Sequence, residues 1–105
     1  MKINEIQLGM SIVSTEGKIT AKPEPRNVRT KYGERSVTGA ILEDETGTII
    51  LTLWEQQIEE VNVGDTVKIS GAYVTEFNNQ LQLNLPRSGG LEVKSKGTIN
   101  DTLVI

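Results

Sequence analysis

Residues 44–54 have the sequence D-E-T-G-T-I-I-L-T-L-W, a tight turn followed directly by a strand with two different faces. Asp44 opens the turn, and Gly47 is expected to supply the positive φ of a tight turn. Neighbouring side chains on a strand point apart. We therefore interpret the adjacent carboxylates of Asp44 and Glu45 as parts of a solvated hairpin and not as a metal site or an acid/base pair.

The strand at residues 48–54 follows the two-residue period of a β-strand. Its wholly aliphatic face consists of Ile49, Leu51 and Leu53. Trp54 lies on the other face, with Ile50 and Thr52. The pattern therefore predicts that the only tryptophan of the chain lies outside the aliphatic layer.

Before the turn, the pattern predicts a strand at residues 10–21, with a bulge or sharp bend at Gly17. Two prolines close off this strand, so residues 23–33 are predicted to form a basic loop. A second strand is predicted at residues 34–43. One of its faces carries Val37, Gly39 and Ile41.

After the hairpin, residues 55–61 are predicted to form one or two helical turns. The next strand runs to about residue 75, and Gly71 is expected to introduce a bulge that switches its inward face. Residues 77–80 have the composition of a second hairpin turn. The last strand, at residues 80–85, alternates leucines with polar residues.

This pattern predicts five strands, with one short helix between the third and the fourth. The order predicts an all-β fold, a five-stranded Greek-key barrel of the oligonucleotide/oligosaccharide-binding (OB) type. The length of 105 residues predicts one domain over residues 1–105. A small β-sandwich is the competing fold.

The composition excludes several kinds of site. The chain has no cysteine and no histidine, which removes the usual zinc sites and the common nucleophile–histidine pairs. We expect no metal, no cofactor and no enzymatic activity. No run of about 18 apolar residues occurs, and the N-terminal residues lack the apolar stretch of a secretory signal. These features predict a soluble intracellular (cytoplasmic) protein that does not associate with membranes.

Charge is unevenly distributed along the chain. Residues 18–35 contain six basic and two acidic residues, a local charge of +4, whereas the net charge of the chain is −3. A segregated basic segment is typical of a surface that binds a nucleic-acid backbone. A solvated loop with no partner is the alternative. The basic residues after the prolines are Arg26, Arg29, Lys31 and Arg35.

Aromatic residues are few, and the predicted inward positions are aliphatic, so the core does not require them. In an OB barrel, Trp54, Tyr73 and Phe77 fall beside the open face on which bases stack. Ordinary packing at one end of the barrel is the alternative role for Trp54 and Phe77.

Three strings together resemble the simple single-stranded DNA-binding proteins of archaea, their human relatives and the DNA-binding domains of replication protein A. They are D-E-T-G-x-x-x-L-T-L-W at 44–54, V-G-D-x-V-K-I at 63–69 and Y-V-x-x-F-x-x-x-L-Q-L-N at 73–84. The resemblance covers about residues 5–94. It implies an OB fold and binding of single-stranded DNA with little sequence preference.

The resemblance also implies roles for individual residues. Trp54, Tyr73 and Phe77 match the family's base-stacking aromatics. Arg26, Lys31 and Arg35 fall in its basic first loop and second strand, and Arg87 matches a basic position after the last strand. Some relatives have a further aromatic at the position of Asn84.

The leading hypothesis is therefore a non-catalytic module for single-stranded DNA in replication, repair or recombination. A protein-interaction or oligomerisation barrel of a replication protein A-like complex is the first alternative. RNA binding is the second, because stacking and backbone contacts do not sense the 2′-hydroxyl.

Overall fold

The computed structural model describes residues 1–85 and 90–96 of the chain. A 3-10 helix, Ile3–Glu5, precedes the first strand, and the α-helix α1 spans Gln56–Glu60. The strands are β1 (Val13–Ala21), β2 (Arg26–Thr30), β3 (Gly33–Asp44), β4 (Gly47–Trp54), β5 (Thr66–Phe77), β6 (Gln80–Asn84) and β7 (Gly90–Ser95). Within these described ranges, no helix has the length and apolarity needed to cross a membrane.

Five of the strands close into a barrel. The strands pair in the order β1-β3-β4-β6-β5, and β5 pairs back with β1. β6 lies parallel to β4, whereas the other barrel pairs are antiparallel. α1 connects β4 to β5, the third and fourth strands of the barrel in chain order. The predicted five-stranded OB barrel with its short helix is confirmed.

Two strands lie outside the barrel path, and the prediction of a continuous loop at residues 23–33 is wrong. β2 occupies the middle of that segment and pairs with the first five residues of β3. Those residues extend beyond the part of β3 that pairs with β1, so their backbone groups need another partner. β2, which precedes β3 in the chain, is that partner. The two strands form a hairpin in place of the predicted loop. β7 pairs with the first part of β5.

The core is aliphatic, as the alternation in β4 predicts. Leu51 and Leu53 are fully buried, Ile49 is nearly so, and Leu83 of β6 is also fully buried. Among the described residues, the buried hydrophobic core contains no aromatic side chain. The aromatic residues proposed to contact bases are therefore not part of this buried core.

Gly71 marks a change of phase in β5. Val67 and Ile69 are buried before it, whereas Ala72 and Val74 are buried after it. The pairing of β5 with β1 shifts register over the same stretch, and Gly71 has a φ of +75°, which favours glycine. The predicted bulge and its switch of face are confirmed. Alternate residues after Gly71 therefore face outward.

Gly17 has a different role from the predicted one. The pairing of β1 with β5 is continuous through Gly17, and the irregularity in β1 falls instead between Ile19 and Ala21, where β1 pairs with β3. A Cβ atom at Gly17 would lie 2.6 Å from the carbonyl oxygen of Glu43. Glycine is needed there because two backbones approach closely, and not because the strand bulges.

Asp44 organises the turn between β3 and β4, and the prediction that Gly47 supplies a positive φ there is wrong, because no residue of the turn has one. Its carboxylate accepts hydrogen bonds from the hydroxyl and the backbone N–H of Thr46 at 2.6 and 2.7 Å, and from the N–H of Ile3 at 2.8 Å. Burial, the largest single influence, raises the pKa of Asp44, but the hydrogen bonds together outweigh it and lower the pKa from 3.8 to about 2. The solvated-hairpin interpretation of this acidic pair therefore includes a structural role for Asp44.

This pKa makes stability depend on pH in a defined direction. The folded state lowers the pKa of Asp44, so its ionised form stabilises the fold above about pH 4, and this contribution is lost as the pH falls towards about 2. We expect Asp44→Asn to lower stability at pH 7 and to flatten the fall in stability over that acidic window. Urea denaturation at a series of pH values measures both effects.

Glu45→Gln is the matched control for this experiment. The side chain of Glu45 forms its hydrogen bond with Lys2, which lowers the pKa of Glu45. The hydrogen bonds of Asp44 with Ile3 and Thr46 do not involve the Glu45 side chain, so the substitution of Glu45 leaves them in place. The control should keep the part of the acid dependence that Asp44 causes. An identical pH profile for Asp44→Asn and the wild type would contradict the role given to Asp44.

Candidate nucleic-acid interface

The outer face of β3, β4 and β6, bordered by β2 and by Phe77 at the end of β5, forms an open groove with a volume of about 520 Å³. Its lining includes Val37, Gly39 and Ile41 of β3, Ile50, Thr52 and Trp54 of β4, and Gln80, Gln82 and Asn84 of β6. These are the faces opposite the aliphatic core, as expected from the two-residue period. The same alternation that builds the core therefore builds the groove.

Polar side chains lie along the groove floor. Thr52 is opposite Gly39 on one side and pairs with Asn84 on the other. The Asn84 amide donates a 2.8 Å hydrogen bond to the hydroxyl of Thr75. Gly39 keeps the floor low, since a Cβ atom there would lie 3.0 Å from Cγ2 of Ile50.

Trp54 lies at one end of the groove. Its side chain is half-buried and belongs to the groove lining, not to the buried core. Val37 is its cross-strand neighbour, and its backbone N–H donates to the side-chain oxygen of Gln57 at 3.0 Å. The alternative of a Trp54 packed within the core does not describe this position.

Phe77 lies at the opposite end, where β5 turns into β6. The residue is 61% exposed and lines the same groove as Trp54. The turn consists of Asn78 and Asn79, with φ values of +53° and +63°, as the asparagine pair predicts. An aromatic ring that is this exposed contributes little to the core and is available to a ligand.

Tyr73 is close to the groove but not part of its lining. It is 43% exposed, faces outward after the phase change at Gly71, and pairs with Asn84 across the sheet. The structure therefore brings Trp54 and Phe77 to one groove and leaves Tyr73 on its flank.

The predicted phosphate contacts separate into different environments. Arg26 lines the groove, whereas Arg29 alternates to the other face of the hairpin and stands opposite Glu34. Lys31 is at the tip of the hairpin, and Arg35 lies 3.7 Å from the carboxylate of Glu55, an exposed ion pair. Arg87 lies outside the described residues.

Lys22 shows that part of the +4 segment is structural. Its ammonium group donates 2.7 Å hydrogen bonds to the carbonyl oxygens of Ile58 and Val61, at the C-terminal end of α1. Cations stabilise helix C-termini because the unpaired carbonyls there carry partial negative charge. Lys22 anchors α1 to the end of β1, so it is not free to bind a phosphate.

Tyr32 is an exposed aromatic residue for which the sequence pattern predicted no role. The residue is 70% exposed at the tip of the β2–β3 hairpin. The sequence feature that could have indicated a role for Tyr32 is its place between Lys31 and Gly33, because it is an aromatic residue within a basic turn. That signal depends on knowing that the segment folds as a hairpin next to Trp54.

Comparisons with known proteins agree with this geometry. Residues 2–93 match the family model described as "Single-stranded DNA binding protein Ssb-like, OB fold". The chain is 36% identical over 83 residues to the single-stranded DNA binding protein Ssb of Saccharolobus solfataricus, covering 79% of this chain and 56% of that protein. It is 37% identical over 79 residues to Replication factor A of Methanothermobacter thermautotrophicus, covering 70% of this chain and 10% of that protein.

A solved structure extends the comparison to the fold. The OB domain of Ta0387 from Thermoplasma acidophilum superposes with a TM-score of 0.78 at 28% identity, covering 100% of this chain and 92% of that domain. The chain spans about half of the Ssb relative and a tenth of the Replication factor A relative.

Proposed function

Because the chain belongs to the Ssb-like OB-fold family of single-stranded DNA binding proteins, we propose that it binds single-stranded DNA with little sequence preference and without catalysis. Its place would be in replication, repair or recombination, where protein partners meet it on the DNA. The observation that carries the proposal is the pair of aromatic side chains, Trp54 and Phe77, at the two ends of one groove.

Stacking on these rings accounts for the preference for single strands. A base can lie flat on an aromatic side chain only when it is not stacked and paired within a duplex. Trp54 and Phe77 take bases in the groove, and Tyr73 takes one on its flank. Every base has a π-face, so this mode of binding tolerates any sequence.

Polar and basic groups complete the interface. The floor formed by Thr52, Gln82 and Asn84 offers both donors and acceptors to base edges. Arg26 at the groove and Lys31 at the hairpin tip supply positive charge to the phosphates. Arg35 contributes less while Glu55 stays beside it, since the carboxylate offsets its charge.

Trp54 is the only tryptophan, so intrinsic emission reports on one end of the groove. Adding oligo-dT should quench this emission saturably, with an end point of about 4–16 nucleotides per domain. A duplex of equal length should bind far more weakly. A matched oligo-rU arm measures how far the site accepts RNA.

The variant Trp54→Ala separates binding from folding. It should weaken oligo-dT binding by about 1–3 kcal/mol, measured by anisotropy of a labelled oligonucleotide. Because Trp54 is half-buried at the rim, its loss should destabilise the fold by less than the roughly 3–5 kcal/mol typical of a core aromatic. Absence of quenching by any oligonucleotide, together with a stability loss of core size, would reject the proposal.

The phosphate contacts are tested by salt dependence. Arg26→Ala should weaken binding of all sequences alike and reduce the slope of log K against log salt by about 0.7. Arg29→Ala is the matched comparison, because it removes the same charge from the other face of the same hairpin. Titrations at several salt concentrations should give a smaller change of slope for Arg29→Ala. Equal slopes for both variants would contradict a phosphate path along the groove face.

A further inference from the structure

The tip of the β2–β3 hairpin forms a second cavity beside the groove. We call it the hairpin pocket; it has a volume of about 360 Å³ and is lined by Thr30, Lys31, Tyr32, Arg35, Trp54 and Glu55. This volume is within the range of about 300–1,000 Å³ found for small-ligand pockets. Trp54 lines both the groove and the hairpin pocket, so the two are neighbours at this residue.

The backbone presents Tyr32 at a defined place. Its N–H donates to the hydroxyl of Thr30 at 3.1 Å, and that hydroxyl donates to the carbonyl oxygen of Gly33 at 2.9 Å. Thr30 and Gly33 are the last paired residues of the hairpin, and Gly33 has a φ of +105°. Tyr32 therefore extends from a hydrogen-bonded turn and is largely exposed.

The register of β3 and β4 shows where a single-stranded DNA that leaves the groove would go. Val37 pairs with Trp54, and Gly33 lies four residues before Val37 on β3. At about 3.3 Å per residue, the hairpin carries the outer face roughly 13 Å beyond the row of Trp54. A chain that passes Trp54 on its way out of the groove thus meets the hairpin pocket next.

The charges of the hairpin pocket favour a base inside it and a phosphate at its rim. Within the cavity the carboxylate of Glu55 lies 3.7 Å from the guanidinium of Arg35 and offsets its charge, so this ion pair gives a phosphate little net attraction there. The Lys31 ammonium lies 5.3 Å from the centre of the Tyr32 ring, at the tip of the hairpin, where it can meet the phosphate next to a stacked base. Tyr32 provides the flat apolar surface that a base needs.

We propose that the hairpin pocket is a base-binding subsite, in which Tyr32 stacks a nucleotide of the single strand beyond the one on Trp54. This inference rests on the proposed function, because it extends the same binding path. It makes the β2–β3 hairpin part of the interface through an aromatic ring as well as through charge.

A length series of oligo-dT tests the subsite. Tyr32→Ala should bind long oligonucleotides about 5- to 150-fold more weakly than the wild type, the range expected for one lost stacking contact. Oligonucleotides too short to reach beyond Trp54 should bind both proteins equally. Tyr32→Phe, which keeps the aromatic face, should stay close to the wild type at every length.

Salt dependence separates stacking from charge. Tyr32→Ala should leave the slope of log K against log salt unchanged, whereas Lys31→Ala should reduce it by about 0.7. Thermal denaturation checks that each variant is folded, and Tyr32→Ser provides a second truncation of the same ring.

Two failures can be told apart. If the wild type binds no oligonucleotide, the proposed function itself fails. If the wild type binds but Tyr32→Ala matches it at every length, or loses the same factor at every length including the shortest, the separate subsite is overturned.

Discussion

The outward orientation of Tyr73 and Phe77 depends on one irregularity in β5. Gly71, at a φ of +75°, shifts the pairing with β1, so that the buried residues change from Val67 and Ile69 to Ala72 and Val74. Without this shift, the strict two-residue period would point the residues after it the other way. A single glycine thereby decides that the aromatic residues beyond it belong to the surface and not to the core.

The barrel separates stability from recognition. Aliphatic residues fill the core, and the aromatic rings lie at its outer face, so the two sets are nearly independent. The basic segment shows the same division within a few residues. Lys22 supports α1, Arg26 faces the groove, and Arg35 is offset by Glu55. Because the net charge of the chain is −3, its overall charge does not attract a polyanion, and the proposed phosphate contacts depend on local basic residues such as Arg26 and Lys31.

Much of the fold could be predicted from local pattern, because alternation and turn chemistry act between near neighbours. The two faces of β4, the leucines of β6 and the phase change at Gly71 are of this kind. β2 and β7 are different, because they form by pairing with strand edges that exist only in the folded protein. Periodicity in a short basic segment such as Arg26–Thr30 carries no sign of that partner.

The candidate nucleic-acid interface could be predicted to a similar extent. The parity of Trp54 and Phe77 placed both on the outer face, and the resemblance supplied their role. Neither the parity nor the resemblance predicts contacts between distant residues, such as the ion pair of Arg35 with Glu55. They also do not predict that Tyr32 lies beside Trp54. Those depend on the hairpin that brings residues 30–35 next to the end of β4.

The central claim is that the outer face of β3, β4, β6 and the second half of β5 receives the single strand. Titration of the ¹⁵N-labelled protein with oligo-dT, followed by two-dimensional NMR, tests it residue by residue. The account predicts that the largest amide shift changes fall on these strands and on the β2–β3 hairpin, while β7 and the 3-10 helix at Ile3–Glu5 stay unchanged. Shift changes concentrated on β7 and the first half of β5, with the groove strands unaffected, would contradict it.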